Sequence, residues 1–529
     1  MKLLLTVIDG IAYNMFERFR YRLKTLGELA ESGIYSKLES VIPSLTPIAL
    51  ASLYTGNLPK NNGVTHPKIF VKGNKISSPI SAFSSKALIS EPIWSILARK
   101  GYKVIVLSAP QSLPDKWNIK NLLLLDPYKA RNKICSKPFV LKAGENMILE
   151  KKWTVNFNNN KAEIEYPSIN GIDKIELDLG QWSRPVEFIG NCKNREYRAV
   201  SILYNKGNSI YVSPPSFLND EWYNNKSVGN EVWEKVSKKY GMMLDGDYYS
   251  LSKGIINFNE YFETLKISYN FFLNYSLYML QNYDWDFAIT YLPIVDNIQH
   301  LLYGVNDSRA LDYIFKAYEY ADEFVRLHLN LCDTIVIVSD HGIEKIRKRV
   351  YVNKILEKIN VLKIKNNEIY WKQTKAYYAG GGIIRINLKG REDRGIVSQE
   401  EYSKLVRYIV KNLENYKDPE NGKNIFISII ANEIPAGDRE GDIIVGVEDG
   451  YSLSSSIDTE NEIEKVEHYI TITADHGYYK KDDLYGIVIF YGKGIIKKRI
   501  NNARIIDIAP TILKLMNVEN IKMDGNILL

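Results

Sequence analysis

The sequence predicts an α/β protein: a doubly wound, mostly parallel central sheet interrupted by a β-rich insertion and an α+β insertion. Three observations predict it. Short β-branched runs stop abruptly at polar or acidic residues, helical patterns lie between them, and two long stretches break that alternation.

The runs come first. Lys2–Ile8 precedes Asp9, Val104–Leu107 precedes Ser108, and Ala288–Val295 precedes Asp296. Thr334–Val338 precedes Ser339-Asp340-His341, and Ile487–Tyr491 precedes Gly492. Such continuous apolar runs read as strands buried on both faces, which is the habit of parallel sheets. Helical patterns fall at about Arg22–Ser32, Pro47–Tyr54, Glu91–Lys100, Tyr261–Gln281, Ala310–Leu329 and Ile506–Leu515. Alternation of the two over this length gives the doubly wound class. Chemistry in such sheets sits beyond the carboxyl ends of the strands, where Asp9, Asp296 and Asp340 fall.

From about 136 to 250 the pattern changes to short alternating runs separated by Asn, Gly, Pro and Lys clusters, including Ala162–Tyr166, Lys174–Leu179 and Tyr197–Tyr204. This reads as a β-rich inserted cap. From 343 to 467, one amphipathic helix, Gln399–Leu413, lies among strand-like segments such as Gly382–Leu388 and Asp442–Val447. The expected organisation is therefore core 1–135, cap 136–250, core 251–342, α+β insertion 343–467 and core 468–529.

Composition narrows the class. The 529 residues carry 69 basic and 62 acidic side chains, a net charge of +7. That mild, dispersed surplus suits a small anionic substrate and provides no dedicated nucleic-acid arm. Cys135, Cys192 and Cys332 are odd in number and widely spaced, so neither a disulfide framework nor a cysteine zinc site is expected. The opening MKLLLTVIDG is too short for a signal peptide and ends in Asp9-Gly10 without a cleavage site. No membrane span is read, and the expected location is the cytoplasm. The oligomeric state is not legible.

Asp9, Asp296, His300, Asp340, His341 and His476 form the constellation with chemical content. Three of the six histidines belong to it. Carboxylates and imidazoles at strand ends are the donors expected for zinc or another first-row metal, and two close dications can clamp both oxygens of an in-line displacement. Asp296 and His300, four apart, share one face of a helix. Gly342 after Asp340-His341 permits a sharp turn, and Ala474-Asp475-His476-Gly477 repeats the local composition. Each piece alone is an ordinary turn or surface pair; the case rests on their joint occurrence. In Ser44-Leu45-Thr46-Pro47, Pro47 suits the first helical position with Thr46 as N-cap, so Thr46 faces the anion-binding end of a helix. A threonine hydroxyl beside a dication becomes nucleophilic.

Together these residues resemble the alkaline phosphatase superfamily, in particular its type I phosphodiesterase/nucleotide pyrophosphatase branch. The matching segments are Val7-Ile8-Asp9-Gly10, SLTPIALASLYTG around Thr46, Leu58-Pro59, and Asn62-Gly63-Val64. They continue with Asp296 to His300, Ser339 to Gly342, His476-Gly477-Tyr478, Asp507 to Leu513, and Met523-Asp524-Gly525. Ile386 to Arg391, Gly395-Ile396-Val397 and Gly441 to Tyr451 are similar to microbial members. The resemblance implies an alkaline phosphatase-like core and two divalent metals, most often zinc, with manganese or iron as alternatives. One metal would bind Asp296, His300 and His476; the other would bind Asp9, Asp340, His341 and the Thr46 oxygen. It also implies a nucleotide-like phosphoester substrate cleaved through a phosphothreonine. Many members carry an Asn that touches phosphate where this chain has His66-Pro67, so His66 becomes the candidate substrate contact. Alternatives on the same core are a phosphomonoesterase, a phosphonate hydrolase or a catalytically silent binding member. The CxPxR-like segment of sulfatases is absent.

Overall fold

The computed structural model of the protein describes residues 1–431, 434–477 and 484–529. The runs expected as buried strands assemble into one sheet. Across it lie Lys498–Arg499, Ile34–Glu39, Gly486–Gly492, Thr334–Val338, Leu3–Ile8, Phe287–Leu292, Val104–Leu107 and Leu122–Leu125; Ala503–Arg504 also pairs with Ile34–Glu39. Val104–Leu107 is parallel to both of its neighbours, while Ile34–Glu39 is antiparallel to Gly486–Gly492. Every residue of Leu3–Ile8, Phe287–Leu292 and Thr334–Val338 is buried. With no face left to water, nothing selects for polar residues at alternate positions, and the runs stay apolar throughout.

One boundary differs from expectation. The run read as Ala288–Val295 ends as a strand at Leu292, and Ile294–Leu302 is a helix. Pro293 lacks the N–H that a ladder needs, so Asp296 falls in the helix's first turn rather than at the strand's end.

The chain divides into two compact units, Met1–Val7, Leu97–Asn297 and Ala317–Ile335 forming one, and Ile8–Ile96, Ile298–Lys316 and Val336–Leu529 the other. The division passes within Leu3–Ile8, Thr334–Val338 and the helix Ile294–Leu302. The first unit contains a set of antiparallel hairpins: Gly144–Ile148, Lys151–Asn158, Lys161–Ser168 and Gly171–Asp178 form one sheet, and Val186–Cys192, Arg195–Ser201 and Ser216–Phe217 another. Trp153, Val155, Ile164, Phe188 and Ala199 are buried in their shared core. Cys135 and Cys192 join this core as a disulfide with Cα atoms 6.0 Å apart. This corrects the expectation of no disulfide: the odd count reflects Cys332 alone, which is the free thiol.

The second unit contains the helix Gln399–Glu414, opened by a Ser398/Glu401 capping box, and the four-stranded sheet ordered Ala376–Gly380, Ile383–Ile386, Ile443–Val447, Phe426–Ala431. The segments similar to microbial members form a buried ion network here. The Arg391 guanidinium donates to both Asp442 oxygens at 2.7 Å, and Arg385 and Arg391 share Glu392 Oε1 at 2.8 Å. Among the described residues, no helix is long and apolar enough to cross a membrane.

Candidate metal centre

Each ligand candidate is held by local chain chemistry. Asp9 is buried directly after Leu3–Ile8, and Gly10, at φ +72°, turns the chain there. The Gly10 N–H donates to Asp340 Oδ1 at 3.3 Å, and its carbonyl accepts from Gln299 Nε2. Ser339 turns the chain after Thr334–Val338 by donating its hydroxyl to the His341 carbonyl at 3.0 Å. Gly342 N–H donates to Leu484 O at 2.7 Å. Asp340 and His341 are thereby buried side by side, at 1% and 0% exposure.

Asp296 and His300 lie one turn apart on Ile294–Leu302. The end of that helix is tied to the segment before His476. Thr473 N–H donates to His300 O at 2.7 Å, Thr473 Oγ1 donates to Leu301 O at 2.8 Å, and Gly304 N–H donates to Thr473 Oγ1 at 3.1 Å. Tyr478, part of the matching segment His476-Gly477-Tyr478, lies outside the described residues.

The three imidazoles share one device. His300 Nδ1 lies 2.8 Å from Ala474 O, His341 Nδ1 lies 3.1 Å from Gly342 O, and His476 Nδ1 lies 2.7 Å from Ser44 O. A carbonyl oxygen can only accept, so each Nδ1 carries the proton and Nε2 is the nitrogen left to face a cation. Partners of this kind orient metal-ligating histidines. The His341 and His476 rings stack at 3.6 Å and 19°, with His300 5.0 Å from His476.

Two sets of donor atoms each lie within 4.8 Å of one another: Asp296, His300 and His476, and Asp9, Asp296 and His341. Asp340 Oδ2 is 3.2 Å from His341 Nε2, beside the second set. Three buried carboxylates and three imidazoles, of which His341 and His476 are buried and His300 is half-buried, are chemically suited to divalent cations; without cations that much negative charge in a low dielectric is costly.

Thr46 meets this cluster through its hydroxyl, 3.2 Å from His341 Nε2. It is the first residue of the helix Thr46–Thr55, with Leu45 as the cap, one position from the expected register. Leu45 O accepts from both Ile48 and Ala49 N–H, and Pro47 has no donor. The first turn therefore offers one main-chain N–H without a partner among the described residues, that of Thr46 itself. The far end of this helix is anchored by the closing tail: Asp524 and Gly525 N–H donate to Gly56 O at 3.1 and 3.0 Å, and Asp524 Oδ2 accepts from Leu58 N–H at 2.9 Å. The tail segment of the resemblance thus serves the helix that carries Thr46.

His66 is not in either donor set. Burial pushes its imidazole down to about 4, so the ring is neutral at physiological pH. Beside it, Thr65 Oγ1 donates to Arg439 O, and Pro67 packs on Gly381, where a Cβ would come within 2.7 Å of Pro67 Cδ. Sequence reading passed over the groups that hold Asn297, the residue next to Asp296. Asn297 Oδ1 accepts from Gly246 N–H at 3.1 Å, and Tyr261 donates its hydroxyl to Asn297 O at 3.3 Å. Asp245 lies near enough to feel the Asp296 charge; burial raises its carboxyl, and Arg131 opposes the rise. A lone Asp in Met243-Leu244-Asp245-Gly246 carries no sequence signal that would have found it.

The profile of the family described as type I phosphodiesterase/nucleotide pyrophosphatase matches residues 3–479. No curated protein matches the chain by sequence. Among solved structures, human ectonucleotide pyrophosphatase/phosphodiesterase 5 is similar at TM-score 0.51 and 11% identity, covering 99% of this chain and 97% of that one. The murine form is similar at TM-score 0.53 and 10% identity, covering 99% and 98%. An inactive murine form in complex with AMP gives TM-score 0.53 and 10% identity, covering 99% and 97%. At these identities the likeness concerns the fold.

Proposed function

The chain belongs to the type I phosphodiesterase/nucleotide pyrophosphatase family, and from that premise we propose that it is a two-metal hydrolase of nucleotide-like phosphodiesters or pyrophosphates acting through Thr46. Membership makes it a phosphoric ester hydrolase; the metals, the nucleophile and the substrate class are our reading. The observation that carries it is the Thr46 hydroxyl 3.2 Å from His341 Nε2, next to the two donor sets.

In this reading Asp296, His300 and His476 hold one cation, and Asp9, Asp340, His341 and the Thr46 oxygen hold the other, zinc first, with manganese or iron as alternatives. Asp296 also stands in the second set of donors, which suits a carboxylate able to face both positions. Two bound dications supply positive charge that lowers the pKa of the hydroxyl and neutralises the phosphoryl oxygens. The Thr46 N–H donates to a non-bridging oxygen where many relatives use an Asn; His66 is the second candidate for that task. Thr46 Oγ forms a bond to phosphorus, the bond to the leaving oxygen breaks, and the hydroxyl proton departs to solvent or leaving group. Water then cleaves the phosphothreonine ester and restores Thr46.

A nucleotide-like substrate is supported by the AMP complex of the murine relative. The segmentation into core 1–135, 251–342 and 468–529 with insertions 136–250 and 343–467 is also proposed. So is a cytoplasmic location, against which the Cys135–Cys192 bond counts, because disulfides are rare in a reducing cytoplasm.

The test is hydrolysis of bis-p-nitrophenyl phosphate against p-nitrophenyl phosphate after chelation and zinc add-back. Zinc-restored preference for the diester is expected; preference for the monoester would move the protein to phosphomonoester chemistry.

A further inference from the structure

We propose that Ser44–Leu45 is a positioning clip that holds the nucleophile Thr46 and the ligand His476 as one piece. The inference rests on the roles given to those two residues above.

Ser44 grips the His476 segment twice. Its carbonyl accepts from His476 Nδ1 at 2.7 Å, which fixes the tautomer that turns Nε2 toward a cation. Its hydroxyl oxygen accepts from Gly477 N–H at 3.1 Å. Both contacts are buried, and Ser44 is itself only 2% exposed.

Leu45 then fills space that two glycines leave open. A Cβ on Gly477 would lie 2.4 Å from Leu45 Cδ2, and Gly477 also sits at φ +92°, where side chains are strained. A Cβ on Gly381 would lie 3.2 Å from Leu45 Cδ1. The same Leu45 caps the Thr46 helix through its carbonyl, so its displacement moves Thr46 directly.

The contacts close a circuit. Ser44 holds His476, whose ring stacks on His341 at 3.6 Å, and His341 Nε2 lies 3.2 Å from the Thr46 hydroxyl, two residues along the chain from Ser44. Ordinary core packing does not need a side-chain oxygen, a main-chain carbonyl and an apolar wedge all spent on one dipeptide. An in-line displacement does need the attacking oxygen held to a fraction of an ångström relative to the metal ligands.

The test uses the full-length protein and the variants Ser44→Ala, Ser44→Thr and Leu45→Ala. Zinc affinity is read by chelator competition on the metal-free proteins, and kcat and KM on zinc-loaded protein with bis-p-nitrophenyl phosphate. Ser44→Ala keeps the carbonyl that faces His476 but removes the hydroxyl that holds Gly477 N–H. By loosening the His476 segment it should weaken zinc binding and lower kcat by about tenfold each, with KM changed by less than about threefold. Ser44→Thr, which keeps the oxygen, should recover both. Leu45→Ala should keep zinc affinity within about threefold yet lower kcat by about tenfold. Wild-type zinc affinity and kcat in Ser44→Ala would overturn the proposal, as would a Thr variant no better than Ala. If Ser44→Ala does not fold, Leu45→Ala decides, and an unchanged kcat there overturns the clip. Failure of the wild-type protein to cleave any diester would sink the assigned reaction instead, while the zinc titration of Ser44→Ala would still report on the clip.

Discussion

Lowering the pH from 7.5 to 5.0 should destabilise the first unit by about 2 kcal/mol through His328 alone. This imidazole has no exposure to water. Its Nδ1 donates to Phe324 O at 2.6 Å, and its Nε2 faces Ser276 Oγ at 2.8 Å. Burial pushes its pKa down to about 4. In the unfolded chain the value returns to about 6.5, so below that pH the unfolded state binds the extra proton and stability falls as pH falls. At pH 5.0, protonation favours the unfolded imidazole by a factor of about 30 and the folded one hardly at all, which gives the 2 kcal/mol. The loss continues to about pH 4, where the folded ring begins to titrate. His328→Leu removes the titration at the cost of the two hydrogen bonds. Urea midpoints of wild type and variant, read by tryptophan fluorescence at both pH values, give the difference. His66 is lowered in the same way but is present in both proteins and cancels. Equal pH sensitivity in the two proteins would refute the reasoning.

Two further perturbations address the scaffold. Cys135→Ser opens a bridge spanning 57 residues, which should lower stability by about 2–4 kcal/mol; calorimetry of the oxidised wild type against the variant measures it, and no change in melting temperature would contradict the value. Asp442→Ala strips the buried Arg391 guanidinium of both 2.7 Å carboxylate contacts, a loss of about 3–5 kcal/mol. A thermal shift of only a degree or two would show that the network is neutral.

The central strands were legible because burial on both faces leaves continuous apolar runs, as in Leu3–Ile8 and Thr334–Val338. The sheet's edges were less so. Leu122–Leu125 is four leucines that carry no period, and Ile34–Glu39 alternates buried and less buried positions, antiparallel to Gly486–Gly492 but parallel to Lys498–Arg499 and Ala503–Arg504. Within 136–250 the hairpin at Leu149-Glu150 carries no turn signal, because both residues stand at positive φ, a conformation that normally calls for Asn or Gly. The disulfide was hidden because pairing of Cys135 with Cys192 depends on the fold of the hairpins between them. Among the candidate site residues, type and order were the signal, although Asp296 and His300 lie on a helix rather than at a strand end. Their supports gave none. The carbonyls of Ala474, Gly342 and Ser44 that orient the histidines belong to the backbone and leave no trace in residue identity.

The most direct test of the assigned nucleophile is to quench zinc-loaded protein during turnover of bis-p-nitrophenyl phosphate and map the adduct by peptide mass spectrometry. A phosphoryl ester on Thr46, absent from a Thr46→Ala variant that still binds zinc but does not turn over, is the expected result. Turnover by Thr46→Ala at a rate near that of wild type would show that water attacks phosphorus directly and would contradict the role given to Thr46.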